Sequence, residues 1–182
     1  HSTSRRQRQM CIRDSMNTNL KRLLDWDEQI KAHLMWIWGG EVGFMKRGIE
    51  GMLVITDRRI VFISKTDMTY RVHDVYSRRQ RTRFEQDENI FRPIEDYGIS
   101  ELRVDMNKSI KNIEIPFSKT TNLFIEEKRW GTALRISFVN EEGKKDYKFS
   151  VVKSWVKYPA KDPLEFQRMD WSPVVTLFKN FR

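Results

Sequence analysis

The hydrophobic pattern changes from a helical to a strand period near residue 30. Leu20, Leu23 and Leu24 repeat at helical spacing and predict a short helix over 19–28. From residue 30 the period becomes two, which predicts a strand with two distinct faces. One face holds Ile30, Ala32, Leu34, Trp36 and Trp38, and the other holds Lys31, His33 and Met35. Glycines at positions 39, 40, 43 and 48 then indicate a long flexible connection.

Two β-branched runs at 51–56 and 60–64 flank the short polar stretch Asp57-Arg58-Arg59. Because both runs are apolar on both sides, they predict a tight hairpin of strands at the centre of a buried sheet. The strand rhythm stops between 66 and 111. There, apolar residues at helical spacing predict a helix over 99–110, and a second helix is predicted over 75–92. The first of these patterns consists of Ile99, Leu102, Met106 and Ile110.

The second half of the chain returns to a period of two and predicts four more strands. Their apolar positions are Ile113, Ile115 and Phe117; Thr121, Leu123 and Ile125; Leu134, Ile136 and Phe138; and Tyr147, Phe149 and Val151. An irregular basic segment over 153–171 precedes a helix with Ser172 as N-cap and Pro173 as its first residue. The apolar face of this helix predicts that Phe178 and Phe181 are buried. The elements together predict a mainly β (α+β) fold with seven strands.

Aromatic residues on these strands are expected to form the core. The set comprises Trp36, Trp38, Phe62, Phe138 and Phe149. Trp130 stands beside Gly131 in a predicted turn, so we expect it to anchor that turn rather than to fill the core.

The ordered set of elements resembles the pleckstrin-homology-like and GRAM-like families, including their bacterial and archaeal members. The resemblance spans residues 26–181. It rests on Gly51-x-Leu53-x-x-Thr56-x-x-Arg59-Ile60-x-Phe62, on Ile115-Pro116-Phe117, and on paired strands followed by a terminal helix. It implies a seven-stranded barrel of two orthogonal antiparallel sheets with a C-terminal capping helix. It also implies a single domain over 16–182 with a helical insertion at about 66–111.

The first fifteen residues share no pattern with the rest of the chain. They resemble translated sequencing-adapter read-through, and the alternative is a genuine basic arm. They have no apolar stretch typical of a secretory signal. Residues 1–15 contain four Arg, one Asp and the single cysteine, Cys11. Without them the net charge falls from +9 to +6, since 30 basic and 24 acidic residues remain. We therefore treat 1–15 as a non-native or disordered leader and expect a cytoplasmic location.

Composition and motifs give no support for an enzyme. The chain has 182 residues, of which 39% are hydrophobic and 32% charged, and no apolar run approaches the about 18 residues of a transmembrane helix. His33 and His73 lie far apart without histidine or cysteine companions, so we expect no metal and no cofactor. Neither a phosphate-binding glycine loop nor a nucleophile with a neighbouring base is present.

Basic residues are the remaining candidates for function. In the resembling families, the connections between strands one and two, three and four, and six and seven form one ligand-binding rim. The resemblance implies that the candidate ligand-binding residues there are Lys46, Arg47, Lys65, Arg71, Arg78, Arg79, Arg81, Arg83, Lys144 and Lys145. The arginines at 78–83 have an alternative role, which is pairing with the acids Glu85, Asp87, Glu88, Glu95 and Asp96 of the insertion.

These residues suggest two functional classes. The first is a non-enzymatic binding module at an anionic membrane surface or on a protein partner, with the protein peripheral to the membrane. The alternative is a nucleic-acid-associated protein that uses the same arginines on phosphates. The basic residue at the end of the first strand and the basic series on the second, which are typical of phosphoinositide-specific members, are replaced here by Trp36-Ile37-Trp38 and Met52-Leu53-Val54.

Overall fold

The computed structural model describes residues 28–43, 46–68, 70–153 and 165–181. The leader at 1–15, the predicted helix over 19–28 and most of the irregular basic segment lie outside the described residues. The elements are β1 (Ile30–Glu41), β2 (Ile49–Thr56), β3 (Arg59–Ile63), α1 (Tyr70–Glu85), α2 (Ile99–Met106), β4 (Ile113–Pro116), β5 (Thr120–Lys128), β6 (Gly131–Asn140), β7 (Gly143–Val151) and α3 (Ser172–Phe181).

All seven strands belong to one antiparallel open sheet in the order β4-β3-β2-β1-β7-β6-β5. The protein is therefore mostly β, as predicted. Strand β1 joins two groups, because it pairs with β2 from Ile30 to Gly39 and with β7 only from Ile37 to Glu41. The group β1–β4 thus has four strands and the group β5–β7 has three. Strands β4 and β5 are the two edges of the sheet.

Two hydrophobic cores pack against opposite faces of β1–β3. The larger core collects side chains from both strand groups and from α3, including Leu53, Phe62, Phe149 and Phe178. The smaller core covers the opposite face with side chains of the insertion between β3 and β4. Its buried members are Met35, Met52, Val54, Val61, Ile63, Ile94, Tyr97 and Leu102. Strands β2 and β3 are consequently buried on both faces, which confirms the prediction from their apolar runs.

The simple alternation predicted for β1 is wrong beyond Leu34. Trp36 has a φ of 57°, and the pairing register with β2 shifts between Leu34 and Ile37. This bulge turns Ile37 into the core, while Trp36 and Trp38 are only half-buried. The two tryptophans are therefore not core residues, whereas Phe62, Phe138 and Phe149 are buried as predicted.

The insertion protects the free edge of β1. Because β7 pairs with β1 only from Ile37 onwards, the backbone groups before that point need other partners. The Gln80 side chain of α1 accepts a hydrogen bond from the Met35 N–H at 2.7 Å and donates one to the Met35 carbonyl at 3.1 Å. The His33 N–H donates to the Arg92 carbonyl at 3.0 Å. The insertion is thus bonded to the part of β1 that β7 leaves unpaired, and it also packs on the face of the sheet.

The helices of the insertion differ from their predicted bounds. Helix α1 begins five residues earlier than predicted and ends at Glu85, and α2 ends at Met106 rather than at 110. Leu102 is buried, but Ile110 is fully exposed beyond the helix. The i, i+4, i+8 pattern therefore included one residue that does not belong to the buried face.

The hairpin motif has a structural role that its geometry explains. The Thr56 hydroxyl oxygen accepts from the backbone N–H groups of Arg58 and Arg59, which fixes the tight turn. The Arg59 guanidinium binds the buried carboxylate of Glu28 with two hydrogen bonds of 2.8 and 2.5 Å. Its other ion pair, at 2.9 Å, is with Glu114 on β4. The motif therefore joins β3 to β4 and to Glu28, two residues before β1.

The same motif needs glycine at position 51. A Cβ atom on Gly51 would lie 2.6 Å from the ring of Phe62, closer than packed side chains approach. Phe62 packs in turn against Phe149 with ring centroids 5.5 Å apart. The glycine thus lets the Phe62 ring lie across β2 and reach the core.

Helix α3 is buried in part. Phe178 is buried and meets Phe117 with ring centroids 5.7 Å apart, whereas Phe181 is 42% exposed, so its predicted burial is wrong. Phe117 opens a turn of 3₁₀ helix rather than continuing β4. The first turn of α3 is capped by the Asp170 carboxylate, which accepts from the Ser172 N–H and hydroxyl. These two bonds lower the pKa of Asp170.

Candidate functional site

The predicted rim forms where β1 ends. Lys46 from the β1–β2 connection contacts the Glu41 carboxylate at 2.5 Å, and Lys145 of β7 lies 3.9 Å from the same oxygen. Lys145 also pairs with Glu142 at 3.0 Å. The β1–β2 and β6–β7 connections therefore lie close together, and the group between their lysines is the Glu41 carboxylate.

The rim carries no excess of positive charge. Five of the predicted binding residues belong to it, namely Lys46, Arg47, Lys65, Lys144 and Lys145. Five acids stand among them, namely Glu41, Glu50, Glu141, Glu142 and Asp146. The cations and acids named here are therefore equal in number, and burial raises the pKa of Glu50 above its usual value. A polyanion gains little net Coulomb attraction at such a surface.

Arg71, Arg78, Arg79 and Arg81 of α1 are exposed, whereas Arg83 is half-buried. Arg78 pairs with Asp74 at 2.8 Å and Arg81 with Glu85 at 2.9 Å, while Arg79 lies over the Tyr76 ring at 5.5 Å. The Arg78 and Arg81 side chains remain 78% and 62% exposed. Of the predicted pairings with acids of the insertion, Arg81–Glu85 is present. These ion pairs lie within one helix turn at the surface, where each contributes only a few tenths of a kcal/mol, about 0.3–0.5.

Helix α1 lies along the part of β1 that does not pair with β7, and not at the rim. Gln80, in the middle of the arginine cluster, bonds to Met35. Glu41 lies six residues after Met35 along the strand, which corresponds to about 20 Å. The expectation that Arg78–Arg83 and the rim lysines share one end of the molecule is therefore not met. Its cause is the length of the insertion, which carries α1 back along β1.

A pocket that the sequence did not reveal lies at the end of α1. It is an open cleft of about 560 Å³ between Phe84, the β5–β6 turn and the segment 165–168. Its lining comprises Phe84, Arg129, Trp130, Lys153, Glu165, Phe166, Gln167 and Arg168. Three cationic side chains and three aromatic rings thus face one cavity, against a single carboxylate.

Backbone bonds hold the pocket wall in place. Phe166 N–H donates to the Trp130 carbonyl at 2.9 Å, and Gln167 N–H donates to the Val151 carbonyl at 2.8 Å. The Trp130 and Phe166 rings meet edge to face with centroids 5.1 Å apart. These contacts confirm that Trp130 anchors its turn. Lys148 lies over the Trp130 ring at 5.2 Å and adds a fourth cation beside the pocket.

Two features of the sequence could have indicated this pocket, although neither was used in predicting a site. One is the run Lys128-Arg129-Trp130, in which an aromatic residue follows two cations beside a glycine. The other is the basic character of the segment after β7. The contact between residues 165–168 and the β5–β6 turn could not be predicted, because no strand pattern marks that segment.

Two buried titratable groups, His33 and Tyr97, lie at the smaller core. His33 is 3% exposed, its Nδ1 accepts from the Ile94 N–H at 2.8 Å, and burial lowers its pKa to about 4. The Tyr97 hydroxyl donates to Asp105 at 2.8 Å, and burial with this bond raises the Tyr97 pKa above its usual range. These groups fasten the insertion to β1. Within the described ranges, no cluster of three or more His, Cys, Asp or Glu side chains could hold a metal ion.

Comparisons with known proteins give no family. No family model matches the chain, and no curated protein matches it. Among solved structures, the hSac2 domain from human phosphoinositide phosphatase Sac2 aligns with 95% of this chain and 82% of its own, at 10% identity and a TM-score of 0.40. A likeness at this level assigns neither fold nor function. None of the helices in the part of the chain that the structure describes has the length and apolar character needed to cross a membrane.

Proposed function

We propose that this chain is a non-enzymatic binding module of the pleckstrin-homology-like or GRAM-like type that attaches peripherally to an anionic membrane surface. The proposal includes the finer architecture, in which the groups β1–β4 and β5–β7 form two orthogonal sheets of a barrel that α3 caps. The four-plus-three division at β1 supports it, as does the Phe117–Phe178 contact at one end of the core.

The observation that carries the proposal is the basic outer face of α1. This face presents Arg71, Arg78, Arg79 and Arg81, against the two acids Asp74 and Glu85. Each cation near an anionic leaflet contributes about 1 kcal/mol, so several acting together give reversible adhesion.

Vesicle sedimentation tests this proposal with two matched variants. The first changes Arg78, Arg79 and Arg81 to Gln, and the second changes Lys46, Lys144 and Lys145 to Gln. Both remove three positive charges. We expect the α1 variant to bind phosphatidylserine vesicles about a hundredfold more weakly, because about 3 kcal/mol is lost, and the rim variant to bind nearly as the parent does.

Salt and vesicle composition supply the controls. Binding should weaken steeply with salt, because exposed charges are screened over about 8 Å at physiological ionic strength. Vesicles of phosphatidylcholine alone should not bind. Equal losses in both variants would mean that net charge alone attracts the protein, and would overturn the role of α1.

The nucleic-acid alternative has one observation in its favour, the aromatic rings beside the cations of the pocket. Single-stranded nucleic acids bind to surfaces of this composition. A filter-binding assay with single-stranded RNA, run beside the vesicle assay, separates the two classes. RNA binding without vesicle binding would show that the ligand is nucleic acid and not a membrane. Binding to neither RNA nor vesicles would favour a protein partner.

A further inference from the structure

The pocket at the end of α1 contains two arginines suited to an anion. Within the part of the chain that the structure describes, Arg129 and Arg168 are exposed and form no ion pair, while Lys153 pairs with Glu165 at 3.2 Å. A guanidinium group offers a planar set of donors that matches a phosphate group better than a lysine does. Two such groups lining one cavity favour a ligand with a phosphate.

The remaining walls favour a flat organic group. Phe84, Trp130 and Phe166 supply aromatic surface in an open cleft of about 560 Å³, a volume within the range of small-ligand pockets. An aromatic wall can stack on the planar ring of a ligand. It contributes little binding energy to a lipid headgroup that consists only of hydroxyls and charged groups. The lining thus has one part for a phosphate and another for a planar ring.

We propose that this pocket, formed by Arg129 and Arg168 with the rings of Phe84, Trp130 and Phe166, binds a nucleotide. The arginines hold the phosphate, and the base lies against the aromatic wall. The backbone bonds from Phe166 to Trp130 and from Gln167 to Val151 keep this wall in place before the ligand arrives. Pre-organisation of this kind lowers the entropic cost of binding.

This site goes beyond the proposed membrane attachment, since it uses pocket residues and not the outer face of α1. The two proposals therefore fail separately. Loss of vesicle binding in the α1 variant does not test the pocket. If the α1 variant binds a nucleotide with the affinity of the parent chain, the pocket is unaffected by the change in α1.

Calorimetric titration of the whole chain tests the pocket with four probes, which are adenosine monophosphate, adenosine, ribose 5-phosphate and inorganic phosphate. We expect adenosine monophosphate to bind most tightly. Ribose 5-phosphate should bind roughly five- to a hundredfold more weakly, because base–aromatic stacking is lost. Adenosine should also bind weakly, because it lacks the phosphate.

Three variants complete the experiment. Arg129→Gln changes an exposed side chain and should weaken adenosine monophosphate binding about tenfold without changing the melting temperature. Trp130→Leu should weaken adenosine monophosphate but leave ribose 5-phosphate binding unchanged. Lys111→Gln removes an exposed cation outside the pocket and serves as the control. Equal affinity of Arg129→Gln and the parent chain, or of ribose 5-phosphate and adenosine monophosphate, would overturn the proposal.

A phosphorylated oligonucleotide distinguishes the source of the nucleotide. A 5′-phosphorylated single-stranded oligonucleotide that binds no more tightly than adenosine monophosphate supports a free nucleotide as ligand. Affinity that rises with oligonucleotide length would overturn the free nucleotide in favour of a nucleic-acid strand.

Discussion

Protonation of His33 should destabilise the fold in mildly acidic solution. The imidazole is buried, its Nδ1 accepts the Ile94 N–H, and its ring meets Tyr97 edge to face at 5.1 Å. A proton on Nδ1 would remove this acceptor and place a charge in the smaller core. Burial accordingly lowers the His33 pKa from 6.5 to about 4.

The sign and size of the effect follow from linkage. Because the folded pKa lies below the unfolded one, the unfolded chain binds the proton more readily, and stability falls as the pH drops from about 6.5 to about 4. Each unit of difference corresponds to 1.36 kcal/mol, so the full loss is about 3 kcal/mol. Above the unfolded pKa the contribution is complete and does not change further.

Urea unfolding at a series of pH values measures this loss against His33→Asn. The asparagine side chain keeps an oxygen that accepts from Ile94 and does not titrate. Titration of the carboxylates changes the free energy of unfolding of both proteins alike. The difference between the two proteins at each pH therefore reports the contribution of His33. We expect the advantage of the parent chain to shrink by about 3 kcal/mol between pH 7 and pH 4. If the free energies of unfolding of the two proteins fall in parallel as the pH drops, protonation of His33 does not destabilise the fold.

Two further predictions concern packing and buried charge. Phe178→Ala should lower the free energy of unfolding by about 3–5 kcal/mol and Phe181→Ala by clearly less, since the second ring is 42% exposed; equal losses in chemical denaturation would contradict the partial burial of α3. Arg59→Met should cost about 3–5 kcal/mol, because it leaves the Glu28 carboxylate, 1% exposed, without its cation. Adding Glu28→Leu should then restore much of that stability, and a double variant no more stable than the single one would show that the ion pair is not the cause.

The regular strands could be predicted from the sequence, while the irregular contacts could not. The runs at 51–56 and 60–64 identified a central hairpin because apolar residues on both faces require cover on both sides. The same pattern reading failed at Trp36, where a bulge reverses the alternation without any glycine or proline to mark it. It failed again at Phe181, because helical periodicity gives the direction of a side chain and not the extent of the surface that covers it.

The candidate site shows the same division. The rim connections were correctly expected to approach each other at Lys46 and Lys145, because antiparallel topology brings alternate turns to one end. The position predicted for the α1 arginines was wrong, because the path of a long insertion depends on tertiary hydrogen bonds such as those between Gln80 and Met35. The pocket depends on a segment without strand periodicity, so its residues came together only in three dimensions.

Attachment to an anionic surface through the outer face of α1 is tested by sedimentation with phosphatidylserine vesicles. The two triple variants, at Arg78, Arg79 and Arg81 or at Lys46, Lys144 and Lys145, are compared with the parent chain. We expect the α1 variant to stay in solution and the rim variant to sediment with the vesicles as the parent chain does. Sedimentation of the α1 variant at the parent's level would contradict it.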